Sequence, residues 1–117
     1  MKIIKVSSDN HKTVILTAKE ILNAGGLVIY PTETSYGVGV DATNPEAVSK
    51  LLKYKKRPEG KAISIAVDSK ETSKKYVDIN PSANKIYETF LPGPVTVISK
   101  SLQNVDKRLE SENISKC

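Results

Sequence analysis

Hydrophobic residues recur along this chain in runs separated by polar and turn-forming stretches. Ile3-Ile4-Lys5-Val6 reads as a short strand. Asp9 or Asn10 can then cap a helix reaching Ala24, since Val14, Ile15, Ala18, Ile21 and Leu22 share one helical face. Gly25-Gly26 supplies the positive-φ freedom that stops it. Leu27 to Tyr30 is a continuous apolar run, the pattern of a strand covered on both faces, and Pro31 ends it. A polar loop, Thr32 to Gly37, leaves that strand, and Val38 to Val40 resumes an extended run. Asn44-Pro45-Glu46 combines a cap, a proline at the first helical position and an acid in the first turn. Ala47, Val48, Leu51 and Leu52 form the buried face of the helix that follows, and Arg57-Pro58-Glu59-Gly60 breaks it. Ala62 to Val67 reads as a second strand covered on both faces, and Asp68 to Tyr76 as a short helix. Asn80-Pro81 opens another helix, with Ala83, Ile86, Tyr87 and Phe90 on one face. Leu91-Pro92-Gly93-Pro94 stops it, and Val95 to Ser99 is a last strand. After Lys100 the periodicity fades. Strands alternating with helices predict an α/β fold, a mixed or largely parallel twisted sheet with flanking helices.

Composition narrows this picture. A length of 117 residues suits one small domain. At 38% hydrophobic and 26% charged, the chain has enough apolar surface to bury a core. No stretch approaches the roughly 20 apolar residues of a membrane span, and Met1-Lys2-Ile3-Ile4-Lys5 is too short and charged for a secretory signal. One cysteine, Cys117, excludes an internal disulfide and a Cys-rich zinc site. These features predict a soluble, cytoplasmic protein.

Charge changes the picture more. Residues 50 to 61 hold Lys50, Lys53, Lys55, Lys56, Arg57 and Lys61 against Glu59 alone, an excess equal to the net +5 of the whole chain. Such a patch suits an anion: a nucleotide, an RNA backbone or an anionic metabolite. The plain alternative is a solvated, Lys-rich helix face.

Three segments are candidates for chemistry. The loop after the Leu27–Tyr30 strand offers the hydroxyls of Thr32, Thr34, Ser35 and Tyr36, with Gly37 and Gly39 permitting close backbone approach. Its plain alternative is a loop whose hydroxyls satisfy local backbone. Lys55-Lys56-Arg57-Pro58-Glu59-Gly60-Lys61 places cations about a helix end and a Pro-Gly turn, the composition needed to hold phosphates. Leu91-Pro92-Gly93-Pro94-Val95-Thr96 is a stiff turn with Thr96 at a strand start, and a purely structural turn would look the same. Other matches fail. Gly37-Val38-Gly39-Val40-Asp41-Ala42 fits G-x-G-x-x-A, yet no helix opens there. Gly60-Lys61 is followed by Ala62, so no Walker A loop exists, and His11 stands alone in a polar stretch.

Taken in order, these segments resemble the YrdC-like domain of the threonylcarbamoyl-AMP synthases. The run from Tyr30 through Pro31-Thr32-Glu33-Thr34-Ser35-Tyr36-Gly37-Val38-Gly39 is similar to the family's P-T-E-T-x-Y-G-x-G loop, Lys55-Lys56-Arg57-Pro58 to its K-x-R-P motif, and Pro92-Gly93-Pro94-Val95-Thr96 to its P-G-P-x-T turn. The resemblance runs from about Ile3 to Lys100. It implies an L-threonylcarbamoyladenylate synthase, a nucleotidyltransferase joining threonine, bicarbonate and ATP with release of pyrophosphate. A separate transferase complex would then modify an adenosine of tRNA. By the motifs, Thr34 would contact threonine, and Lys55 and Arg57 would serve catalysis at the reacting carboxylate and phosphates. Arg57, Lys61 and Thr96 would line the nucleotide site. Mg²⁺ would ride on the ATP phosphates. Some members carry a His where this chain has Ala66.

The family domain is longer, and its second half holds an S-x-N motif at the nucleotide site. Ser82-Ala83-Asn84 spells S-x-N but precedes P-G-P-x-T and reads as a helix start. Residues 1–100 are therefore expected to be the N-terminal part of a truncated YrdC-like domain, and 101–117 a polar tail leading toward a second half. An open sheet edge, and self-association through it, follow from that expectation. The competing reading is a non-catalytic module that binds double-stranded RNA or tRNA through the same lysines. A carbamoyl-transfer role in hydrogenase maturation fits poorly, because such proteins embed the domain among zinc-binding modules.

Overall fold

The computed structural model describes residues 1–56 and 60–111. The chain divides into two compact units, residues 1–55 and 56–117.

The first unit holds helix α1 (His11–Asn23), strands β1 (Val28–Pro31) and β2 (Tyr36–Gly39), and helix α2 (Pro45–Lys55). Asn10 sits at the start of α1, but its side chain bonds backward, accepting from Ser7 N at 2.7 Å and donating to Lys5 O at 2.9 Å. The helix ends as its glycines dictate. Gly26 N donates to Ile21 O and Gly25 N to Leu22 O, with Gly25 at φ +79°, the paired bonds of a Schellman stop. β1 and β2 pair antiparallel, Val28 opposite Gly39 through Pro31 opposite Tyr36. Side chains alternate across a strand, so Tyr30 shares a face with Gly37 and Gly39. A Cβ on Gly37 would lie 2.9 Å from the Tyr30 ring, and one on Gly39 would lie 3.0 Å from it. The ring fills the space those glycines leave. Asn44 starts α2, its Oδ1 accepting from Glu46 N and Ala47 N at 3.1 and 3.2 Å. Ala47, Val48 and Leu51 are buried, while Leu52 is half-buried. Full burial of a side chain such as Val48 is worth about 1.5–3 kcal/mol.

The second unit holds α3 (Lys70–Ser73), β3 (Val77–Asp78), α4 (Pro81–Phe90), β4 (Lys100–Ser101) and a short 3-10 turn at Lys107–Leu109. Ser69 caps α3 through Thr72 N, and Asn80 caps α4 by accepting from Ala83 N at 2.8 Å. β3 and β4 pair antiparallel. Ala83, Leu109 and Ser73 are buried. The fading periodicity after Lys100 conceals order, since residues 100–111 contribute β4, the 3-10 turn and Leu109, which is only 5% exposed.

The α/β class stands, and all the expected helices are present, with α3 shorter than the Asp68–Tyr76 expected. The strands differ. Both ladders among the described residues are two-stranded and antiparallel, so the mixed or parallel sheet expected from the alternation is not formed by them. Ile3 to Val6 forms no ladder, and Ile3 is 88% exposed. β1 is not covered on both faces, for Ile29 and Tyr30 are 44% and 41% exposed. Ala62 to Val67 and Val95 to Ser99 form no strand. In the first of these, Ile63 and Ile65 are half-buried while Ala62, Ser64, Ala66 and Val67 are exposed, the period-2 pattern of one covered side. In the second, Val97 and Ser99 are half-buried and Ile98 is 77% exposed. The physical reason is that an apolar run specifies a demand for cover, whereas a strand needs a neighbouring backbone. Ile63 N finds one such partner, Leu109 O at 2.9 Å.

Two substitutions test the first unit. Asn44→Ala removes both cap bonds and is expected to cost about 1 kcal/mol, with Asn44→Ser close to neutral, read as shifts in the urea midpoint at constant slope. Gly37→Ala must displace the Tyr30 ring. The ring's outer end can swing, so the cost should fall near the low end of the roughly 1–3 kcal/mol of overpacking. Adding Tyr30→Ala should cancel that penalty in a double-mutant cycle. Additive losses would show that the ring does not occupy the glycine face.

Candidate anion-binding site

The hairpin brings the first candidate segment to a tight loop between Pro31 and Tyr36. That tightness has a local cause. Thr32 N donates to Ser35 O at 2.9 Å, and Thr32 Oγ1 donates to the same carbonyl. Thr32 Oγ1 in turn accepts from Ser35 N at 3.2 Å and from Thr34 N at 3.4 Å, the latter at the long limit of a hydrogen bond. Thr32 is thus spent on the backbone, as the plain reading of a polar loop requires. Thr34 and Ser35 are exposed, and neither hydroxyl bonds to another described residue. The glycines expected to admit a ligand instead admit Tyr30.

The basic segment begins on α2. Lys50 is withdrawn from it, since its Nζ donates to Gly25 O at 3.1 Å. Lys53 and Lys55 occupy the last turn of α2, where the carbonyl ends of the helix favour positive charge. Lys56 follows at φ 48° and Gly60 stands at φ 83°, both in the left-handed region. Lys53, Lys55, Lys56 and Lys61 are exposed. The ion pairs among the described residues are Lys70–Glu88, Lys74–Glu71 and Arg108–Asp106, so none of these four lysines is neutralised by a described carboxylate. Arg57, with Pro58 and Glu59, lies outside the described residues.

In the third segment the turn after α4 requires its glycine, because a Cβ at Gly93 would come within 2.4 Å of Phe90 O. Val95 N donates to Gly93 O at 2.9 Å, closing the turn. Thr96 is exposed beyond it. Thr34 and Lys55 belong to the first unit, and Lys61 and Thr96 to the second. Each of the four is exposed within its own unit.

Asn84 of Ser82-Ala83-Asn84 is committed to structure. Its Oδ1 accepts from Lys70 Nζ at 2.9 Å and its Nδ2 donates to Glu88 Oε1 at 3.0 Å, within a helix capped by Asn80. The S-x-N spelling is a helix start, as its position predicts. Two carboxylates are held below the usual range, Asp68 by the Thr72 and Ser69 hydroxyls and Asp106 by the Arg108 guanidinium. Neither is a candidate residue. Among the described residues no cluster of three His, Cys, Asp or Glu could hold a metal, and no helix is long and apolar enough to cross a membrane. Sequence reasoning offered backbone bonding by the loop hydroxyls as the plain alternative without assigning it to Thr32, and it missed the seat of Tyr30. The available signal was the pairing of Tyr30 with Gly37, which appears once Tyr36 to Gly39 is read as the return strand of a hairpin.

Comparisons with known proteins agree with this assembly of motifs. The pattern of the Sua5/YciO/YrdC family, described as telomere recombination, matches residues 20–115. A protein of Methanocaldococcus jannaschii, provisionally named a threonylcarbamoyl-AMP synthase, is 42% identical over 101 residues, covering 86% of this chain and 48% of its own length. The threonylcarbamoyl-AMP synthases of Psychromonas ingrahamii and Vibrio campbellii are 32% and 36% identical, covering 81% and 72% of this chain and 51% and 47% of theirs. The chain thus spans about half the length of these curated relatives. Among solved structures, a doubly substituted Sua5 of P. abyssi superposes with a TM-score of 0.80 at 29% identity, over 85% of this chain and 31% of that one. The fold is therefore YrdC-like, and the chain belongs to the Sua5/YciO/YrdC family.

Proposed function

We propose that this chain carries part of the site of an L-threonylcarbamoyladenylate synthase serving tRNA modification. The observation that carries the reading is the group of exposed lysines, unpaired among the described residues, in the stretch that spells K-x-R-P, within a chain of this family. Threonine carboxylate, bicarbonate and ATP are all anionic, so the site must be cationic. The threonine amine attacks bicarbonate carbon, a C–N bond forms and water leaves. The resulting carbamate oxygen then attacks the α-phosphorus, and pyrophosphate departs. Both steps ask for positioning and charge neutralisation rather than a protein nucleophile. Thr34 is assigned to threonine, and Lys55 and Arg57 to the carboxylate and phosphates. Lys61 and Thr96 are assigned, with Arg57, to the nucleotide. Mg²⁺ enters with ATP as part of the substrate.

Titration with ATP tests the assignment. Arg57→Ala and Lys55→Ala should each weaken binding several-fold, and equal affinities would remove the residue from the site. Threonine- and bicarbonate-dependent pyrophosphate release by the 117 residues alone is expected to be absent or very weak, because they match only half of the relatives' length. Robust turnover would overturn that expectation. The same lysines suit the second reading, an RNA-binding surface. Duplex RNA binding with a steep salt slope and no ATP affinity would favour it.

Self-association is part of the proposal. β1 and β2 form a two-stranded ribbon with Ile29 and Tyr30 substantially exposed, and unpaired strand edges template further pairing. Sedimentation at micromolar concentration should show species larger than the 12.8 kDa monomer. A single monomer with a cooperative melt would exclude it.

A further inference from the structure

We infer that Thr32 is the positioning residue of the hairpin loop: its hydroxyl fixes the backbone shape that leaves the Thr34 side chain unspent for substrate. The inference rests on the functional reading in one respect, that Thr34 meets threonine.

A hydroxyl offers one proton and two lone pairs, and Thr32 uses all three inside four residues. The proton goes to Ser35 O, and the lone pairs receive Ser35 N and, at greater length, Thr34 N. With the Thr32 N to Ser35 O bond, these contacts occupy the amides of residues 34 and 35 and the carbonyl of 35. Groups left open would compete for the Thr34 and Ser35 hydroxyls, as short polar side chains in loops commonly bond nearby backbone. Those hydroxyls are instead exposed and unbonded among the described residues. A β-branched residue is suited to the task, because its restricted χ1 keeps Oγ1 aimed into the turn. The hairpin below is held separately by Tyr30 over Gly37 and Gly39, so bracing by Thr32 can be removed without dissolving the ribbon.

The test uses the 117-residue chain with Thr32→Val, which keeps the shape and loses the hydroxyl, and Thr32→Ser, which keeps the hydroxyl. Amide exchange measured by NMR reads the brace. In Thr32→Val the amides of Thr34 and Ser35 should exchange roughly two- to tenfold faster, the worth of one hydrogen bond, with those of α2 unchanged. L-threonine affinity should fall by at least that factor, ATP affinity should hold, and Thr32→Ser should restore both readouts. Unchanged exchange would overturn the brace. Faster exchange with wild-type threonine affinity would overturn the positioning role. A wild-type chain that binds no threonine while its two amides are protected would overturn the functional reading, and the positioning role with it, leaving the brace as structure alone.

Discussion

The first unit depends on the seating of α2. Ala47, Val48 and Leu51 are sealed, and an amphipathic helix with one face fixed has no freedom in where the other points. Lys50 then reaches the end of α1 through Gly25 O, and Asn44 begins the helix beside that same glycine, its Nδ2 3.1 Å from where a Gly25 Cβ would stand. The cap residue and one lysine of α2 therefore both meet the glycine that ends α1. Lys53, Lys55 and Lys56 of the basic segment have neither apolar cover nor a described carboxylate to meet. Burial on one side of α2 is what leaves charge on the other.

The hairpin follows the same logic at smaller scale. Tyr30 is a large ring on a half-covered ribbon, and it is accommodated because Gly37 and Gly39 present no side chains on its face. The glycines that suggested an open seat for a ligand are filled from within. Thr32 likewise turns a hydroxyl that suggested ligand contact into a brace. A motif rich in Thr, Ser and Gly thus divides its labour: some members hold the backbone, and others stay open to solvent.

Helices were far more legible than strands. A helix satisfies its backbone locally, so a cap, a proline and an apolar stripe suffice, and Asn44-Pro45-Glu46 and Asn80-Pro81 start helices where those signals place them. A strand's partner lies elsewhere in the chain, which is why Ala62 to Val67 and Val95 to Ser99 were expected as strands and carry no ladder. The segment after Lys100 was illegible for a related reason: its order rests on non-local contacts, Leu102 N to Tyr76 O and Ile63 N to Leu109 O, that no periodicity encodes. The candidate site was legible as motifs because K-x-R-P and P-T-E-T are local strings. Their division between holding and exposing was not, since it depends on which strand returns beside which.

The proposed chemistry explains why the candidate site needs no catalytic dyad. In the proposed reaction anions are joined and pyrophosphate is expelled, so repulsion among the reactants and charge developing on the departing phosphates must be offset. Exposed lysines at a helix end answer both requirements only if they are not already neutralised, because an ion pair within the protein would have to break before a phosphate could bind. Lys70, Lys74 and Arg108 are so engaged; Lys53, Lys55, Lys56 and Lys61 are not paired with any described carboxylate. Among the described residues, pairing thus divides cations that charge density alone would group together. By the same measure Lys50, the sixth cation of the sequence cluster, leaves the site for the carbonyl of Gly25.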